Sequence, residues 1–296
     1  MNSGAPFSLL DLVDLAALTL GKARRKVRTT AATDEAFYEE FFTELDDAMV
    51  GAGVDPRKSR RLEVVGSAVD RFTAPGALVL DVGCGLGDTL QSLSRRRPDL
   101  VLAGVEYSRA NVARATRRLG ASVDLRQGSA TAIDFAGGTF DLATCIEVLE
   151  HIEDESRALD EIARVLKPDA YLVMTVPYRH WFPAYRNLMG HHRHYDRESL
   201  STKLEAAGFE VVEWLPNYPR WHRAADFTYI AARAGAEALR VLGRGDGRPD
   251  HLRIPVLNEP LMPRLLELCE VFERLDTAKG PEHYLTTTSC VAKRRA

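Results

Sequence analysis

Apolar residues along the middle of the chain fall in short runs separated by segments with helical spacing. Ala77 to Val82 is a mostly apolar run of strand length. After it, Asp88 to Arg97 places Leu90, Leu93 and the stem of Arg97 on one helical face. The alternation then continues. Strands are predicted over Val101 to Glu106, Val123 to Arg126, Phe140 to Ile146, Tyr171 to Val176 and Phe209 to Leu215. Helices are predicted over Ala110 to Leu119, Ser156 to Leu166 and Arg197 to Ala207, the last two stopped by Lys167-Pro168 and Gly208. Strand and helix in turn argue for an α/β fold, a parallel sheet covered on both faces.

The flanks read differently. Leu9, Leu10, Val13, Leu15, Ala16 and Leu18 make one apolar helical segment, and Phe37, Phe41, Phe42, Leu45 and Met49 a second. Leu62 to Phe72 is a third helix, closed by Pro75-Gly76. Beyond the sixth strand, Ala224 to Leu242 and Pro260 to Leu275 are helical, with a polar, glycine-rich stretch between them. Tyr284 to Lys293 then reads as a final strand. Four parts are expected: a helical cap over residues 1–75, a core over 76–216, a helical insertion over 217–283, and a last strand with its tail over 284–296. The insertion is read as a lid or partner surface, or as helices that thicken the fold.

Chemistry concentrates after the first core strand. Val79-Leu80-Asp81-Val82-Gly83-Cys84-Gly85-Leu86-Gly87-Asp88 is strand, glycine turn and helix start. Such a turn lets a backbone approach a ligand closely. The spacing G-x-G-x-G differs from the G-x-G-x-x-G of dinucleotide-binding turns. Asp81 would repel a diphosphate but can hold an ammonium group. Both features disfavour a nicotinamide-dependent oxidoreductase. Glu106 ends the second strand, where a carboxylate can accept both hydroxyls of a ribose.

This ordered set resembles the class I S-adenosylmethionine-dependent methyltransferases. The resemblance runs from VLDVGCGLGD through Glu106, Phe140-Asp141, Glu147-Val148-Leu149-Glu150-His151 and Arg164-Val165-Leu166-Lys167-Pro168. It implies a Rossmann-like fold: a mostly parallel seven-stranded sheet whose antiparallel last strand inserts between the fifth and sixth. It implies S-adenosyl-L-methionine as cofactor, bound by Asp81, Gly83, Cys84, Gly85, Gly87, Glu106, Tyr107, Ser129, Ala130, Cys145 and Ile146. Ser129 stands where relatives often carry an aspartate that bonds the adenine amino group. Tyr38 and Phe42 become candidate pocket walls. A non-catalytic protein that keeps the cofactor fold is the rival reading.

The acceptor is expected at the carboxyl ends of the strands, as in other open α/β sheets. Tyr178, His180 and Tyr195 are the candidate substrate-facing residues, and His191, His192 and His194 the candidate general bases, since imidazole titrates near neutrality. O-methylation of a small molecule is favoured, with N- or C-methylation as the alternative. By resemblance, Glu147, Glu150 and His151 form the E-x-x-E-H that binds magnesium in some quinone O-methyltransferases. The favoured reading is that they cap and pack the next helix, with no metal.

Composition narrows the picture further. The chain has 296 residues, 45% of them hydrophobic and 27% charged, and a net charge of -3. A basic, aromatic-laced surface for nucleic acid is absent from the pattern. The four cysteines are scattered without metal spacing, which fits a reducing cytoplasm. Phe7 to Leu20 carries Asp11 and Asp14 and precedes the basic cluster Lys22 to Arg28, so neither a secretory signal nor membrane contact is expected. Oligomeric state leaves no sequence signal.

Overall fold

The computed structural model describes residues 56–179, 186, 191–215 and 287–296. The two earliest predicted helices, Tyr38, Phe42, His180 and the insertion over 217–283 lie outside the described residues.

Helix α1 (Pro56–Phe72) leads into β1 (Leu78–Val82), α2 (Asp88–Arg96), β2 (Val101–Glu106), α3 (Arg109–Leu119), β3 (Asp124–Gln127) and β4 (Phe140–Ile146). Then come α4 (Glu155–Val165), β5 (Leu166–Pro177), α5 (Arg197–Ala206), β6 (Phe209–Trp214) and β7 (Thr287–Arg294). The strands form one sheet in the order β3-β2-β1-β4-β5-β7-β6. Pairs from β3 through β5 are parallel, and β7 runs antiparallel between β5 and β6. This is the sheet that the resemblance implies. Strand order reverses between β1 and β4, so the crevice for a ligand opens at their carboxyl ends.

Side chains alternate across the sheet. Val79 belongs to one apolar layer with Val65 and Val69 of α1, Leu90 and Leu93 of α2, and Val291 of β7. Leu80 and Val82 face the other way, toward Leu159 and Ile162 of α4 and Leu200 and Leu204 of α5. Each face therefore has its own apolar layer. Helix starts are fixed locally. Ser108, Asp154 and Asp196 cap α3, α4 and α5 by accepting the N–H of Asn111, Arg157 and Ser199.

Two elements depart from the predicted bounds in an informative way. β5 begins at Leu166, directly after α4, and not at Tyr171. Leu166 pairs with Phe140 before a register irregularity, and Asp169 adopts φ 63°. Lys167 to Asp169 are partly or fully exposed, so periodicity alone gives no strand there. α1 starts at Pro56, ahead of the apolar run, because proline suits the first helical turn.

Candidate functional site

The carboxyl edge of the sheet presents the turns after β1, β2, β3 and β4. The first is set by backbone. Gly83 and Cys84 both donate to the carbonyl of Val105, at 2.8 and 3.1 Å, tying the turn to β2. Gly83, Gly85 and Gly87 all have positive φ, at 70°, 52° and 78°. Their reasons differ. A Cβ on Gly83 would stand 2.5 Å from Val148 Cγ2, and one on Gly87 2.7 Å from Leu119 Cδ1. Those two glycines make room for neighbouring side chains. A Cβ on Gly85 would meet nothing of the described residues within 4 Å. Of the three, Gly85 alone borders open space among the described residues.

Glu106 is held in place at the lip of this turn. Its Oε2 accepts the N–H of Gly85 and its Oε1 the N–H of Ser108, both at 2.9 Å. A carboxylate has about four acceptor positions, so two such bonds orient it without exhausting it. Asp81 lies buried beneath, where Oδ1 accepts the Thr144 hydroxyl at 2.6 Å. Burial pushes its carboxyl up to about 7, the Thr144 bond lowers it, and the charges of Glu106 and Asp88 raise it further. A cationic group arriving here would offset that accumulation of negative charge.

Other expected cofactor contacts are placed less favourably. Cys145 is wholly buried in the core and Cys84 nearly so, with thiols pushed up by burial. Both side chains pack inside, so ligand contact at these positions is confined to the backbone. The Ser129 hydroxyl accepts the N–H of Thr131 at 3.2 Å and lies 2.8 Å from its hydroxyl, closing a local turn. Ala130 and Ile146 are half-buried, and Tyr107 is exposed.

After β4 the geometry changes. Glu147 adopts φ 57°, a conformation that non-glycine residues seldom take, while its N–H donates to Thr175 at 2.8 Å. Its side chain turns toward Arg61 of α1, at 4.0 Å. Glu150 is 0% exposed, and neither of its oxygens has a hydrogen-bond partner among the described residues. Burial, with the Glu147 charge, raises its pKa well above the ordinary value. The expectation that this motif caps the next helix is corrected: Asp154 is the cap of α4.

The histidine-rich segment folds onto that turn. His192 N–H donates to the Glu150 carbonyl at 2.8 Å, and Arg193 donates to the carbonyls of Ile152 and Glu153, both at 2.8 Å. His191 stands edge-on to His151, ring centroids 4.6 Å apart, and its Nδ1 lies 2.8 Å from His194 Nε2. His192 and His194 are half-buried. Tyr178 forms a single bridge with Tyr195. Tyr195, expected to face substrate, is instead 1% exposed, its hydroxyl donated to Glu155 at 2.6 Å. It is a core residue anchoring the segment. A surface hollow of about 430 Å³, lined by Pro75, Asp141 and Lys167 among others, lies at the amino ends of the strands and contains none of these side chains.

Similarity to known proteins agrees with this geometry. A family model described as a methyltransferase domain matches residues 57–214. The chain is 32% identical over 164 residues to O-methyltransferase resE of Aspergillus sclerotiorum, covering 50% of this chain and 62% of that one. It is 38% identical over 105 residues to a ubiquinone biosynthesis O-methyltransferase of Hahella chejuensis, covering 35% and 44%. The matched part is thus less than two thirds of these relatives' own length. Among solved structures, phosphoethanolamine N-methyltransferase 2 of Haemonchus contortus, in complex with S-adenosyl-L-methionine, superposes with TM-score 0.60. That likeness covers 90% of this chain and 61% of that one at 16% identity, and it shows the fold alone.

Proposed function

The chain belongs to the class I S-adenosylmethionine-dependent methyltransferases, and we propose that it methylates a hydroxyl group of a small molecule. The observation that carries the reading is the pairing of an open position at Gly85 with the oriented Glu106 carboxylate above a buried Asp81. The residues fit the cofactor. Its ribose hydroxyls match the acceptor positions of Glu106. Its cationic amino-acid end matches the carboxylate excess at Asp81. Gly85 leaves room for it to lie against the backbone.

When bound, S-adenosylmethionine supplies a methyl group on a sulfonium, activated for in-line transfer with loss of the thioether. The chain's part is positioning and exclusion of water. The Thr144 hydroxyl fixes Asp81, and two backbone N–H groups fix Glu106, so both are oriented before ligand arrives. A hydroxyl acceptor must give up its proton. We assign that role to His194, because its ring is held by His191 at the sheet edge where an acceptor is expected. Tyr178 and His192 flank the same edge as the remaining substrate-facing candidates, and His180 stays a candidate from its place in sequence. The O-methyltransferase names of the relatives support a hydroxyl acceptor.

The test uses methyl-labelled S-adenosylmethionine with parallel panels of phenols, aliphatic alcohols, amines and activated carbon acids. Label in ether products is the expected result. Transfer to nitrogen or carbon only would replace the acceptor assignment. Tight S-adenosylhomocysteine binding with no transfer across the panels would point to a cofactor-binding protein without this catalysis.

A further inference from the structure

Resting on the cofactor reading of the site, we propose that Glu161, Arg157 and Arg164 of α4 are positioning residues that hold the turn after β3 as its adenine-selecting edge. With the amino-acid end of the cofactor at Asp81 on β1 and the ribose at Glu106 on β2, the base extends toward β3, the next strand in the sheet. The turn after β3 starts beside the ribose position, where the Gly128 N–H donates to the Glu106 carbonyl at 2.9 Å. The Ser129 hydroxyl is already engaged by the N–H and hydroxyl of Thr131. Recognition of the base therefore falls to main-chain groups of Ser129 and Ala130. A main-chain contact is only as precise as the path of the chain that carries it.

That path is fixed from α4. Between the bridge at Ala132 and the start of β4 the chain has no helix or strand of its own. Alternate carbonyls turn to the two arginines. Thr131 accepts from Arg157 Nε at 3.2 Å, Ile133 from Arg164 Nη2 at 2.7 Å and Phe135 from Arg164 Nη1 at 2.9 Å. The Ile133 N–H donates to Glu161 Oε2 at 2.9 Å. Glu161 also binds both arginines: its Oε1 accepts from Arg164 Nε at 3.0 Å and Arg157 Nη2 at 3.3 Å, and its Oε2 from Arg164 Nη2 at 2.9 Å. Those donors fill the roughly four acceptor positions of a carboxylate. Glu161 is buried, so its bonds are stronger than the same bonds in water.

Adenine suits an edge fixed in this way. Its amino group donates and its N1 accepts, which matches one main-chain carbonyl and one N–H. Hypoxanthine reverses both. A rigid main-chain pair rejects the reversed pattern, because its own groups are left unpaired, whereas a loose turn can re-pair with it.

The test is calorimetric titration of the full chain with S-adenosylhomocysteine and S-inosylhomocysteine. The wild type should prefer the adenine ligand by about thirtyfold or more, the effect of leaving two polar groups unpaired. Arg164→Lys keeps a cation beside Glu161 but loses the fork that spans two carbonyls. It should weaken the adenine ligand about tenfold and the inosine ligand little, so that the preference narrows. Arg157→Gln, at a side chain more than half exposed, should narrow it by less. Tyr195→Phe, which removes a bond to Glu155 and none to this turn, should leave the ratio unchanged. Circular dichroism checks that each variant is folded, and should Arg164→Lys fail to fold, Arg157→Gln carries the same decision. Equal weakening of both ligands, an unchanged ratio, or the same narrowing in Tyr195→Phe overturns the positioning role. So does a wild type that binds both ligands alike. A wild type that binds neither overturns the cofactor site itself, a failure distinct from these.

Discussion

The turns after β1 and β4 sit side by side at one sheet edge, and they are built on opposite terms. The first is satisfied by backbone. Its N–H groups meet Val105 and Glu106, and its buried carboxylate has the Thr144 hydroxyl. The second holds a strained Glu147 and a buried Glu150 with no hydrogen bond among the described residues. They touch through Val148, which fills the space that Gly83 leaves empty. The contrast separates a surface already shaped for its ligand from one whose buried charge calls for a compensating group. Strain such as that at Glu147 tends to gather at functional sites.

The sharpest way to break this contrast is Gly85→Val. Its Cβ meets no atom of the described residues within 4 Å, so the cost to folding counted from them is that of the positive φ, of order 1–2 kcal/mol. The branched carbons would occupy ligand space. S-adenosylhomocysteine affinity measured by calorimetry should fall more than about a hundredfold, over 2.7 kcal/mol. Gly83→Ala should do the reverse, lowering the melting temperature because Val148 is in the way. Wild-type affinity in Gly85→Val would remove the turn from the site.

Glu106→Gln comes next. The amide keeps one acceptor oxygen, and its NH2 group must face either the Gly85 N–H or the Ser108 N–H, both donors. Charge-assisted bonds contribute about 1.5–3 kcal/mol each. Cofactor affinity should drop roughly ten- to a hundredfold, while acceptor KM at saturating cofactor stays near its original value. A defect confined to the acceptor would show that Glu106 does not hold the ribose.

These two turns also mark how far sequence reading reaches. The glycine spacing, Asp81 and Glu106 are local signals on adjacent strand ends; the alternation of elements points to a parallel sheet, and its strand order is what the family resemblance implies. Which glycine borders open space was not legible, because Val148 and Leu119 come from elsewhere in the chain. Tyr195 reads as a substrate-facing residue among histidines and charges, yet it is buried and bonds Glu155 on α4. Glu150 gives no hint in sequence that its oxygens find no donor among the described residues. Local chemistry is encoded locally, whereas satisfaction and burial are settled by residues tens of positions away.

A smaller effect concerns pH at Asp81. Its carboxyl is raised from 3.8 to about 7 by burial. Because the folded value lies above the unfolded one, its contribution to stability is complete below pH 3.8 and is lost as pH rises through about 7. Ligand binding runs the other way. A cationic ligand favours the ionised carboxylate, so affinity should climb with pH through this range, by up to about tenfold per unit below pH 7. Titrations of S-adenosylhomocysteine at pH 5.5 to 8 should show that slope, and Asp81→Asn should flatten it. An equal slope in the variant would assign the proton to another group.

The smallest effect bears on what anchors the second turn. Tyr195 donates to Glu155 at 2.6 Å, and Glu155 also meets Lys203 and Arg193. Tyr195→Phe deletes the hydroxyl but keeps the ring in its packing. Glu155 retains two cationic neighbours, so its charge is not stranded. The cost should be that of one hydrogen bond to a charged group, about 1.5–3 kcal/mol. Over a core of this size that lowers the melting temperature by several degrees. Were Tyr195 a substrate contact, the acceptor KM would rise while stability held. Were it the anchor that its burial makes it, stability would fall while KM and kcat at a temperature well below melting stayed near wild type. Thermal melts and steady-state kinetics on the one variant therefore separate the two roles. A preserved melting temperature with a raised KM would return Tyr195 to the substrate edge and loosen the argument that the histidine segment is pinned to the Glu150 turn from below.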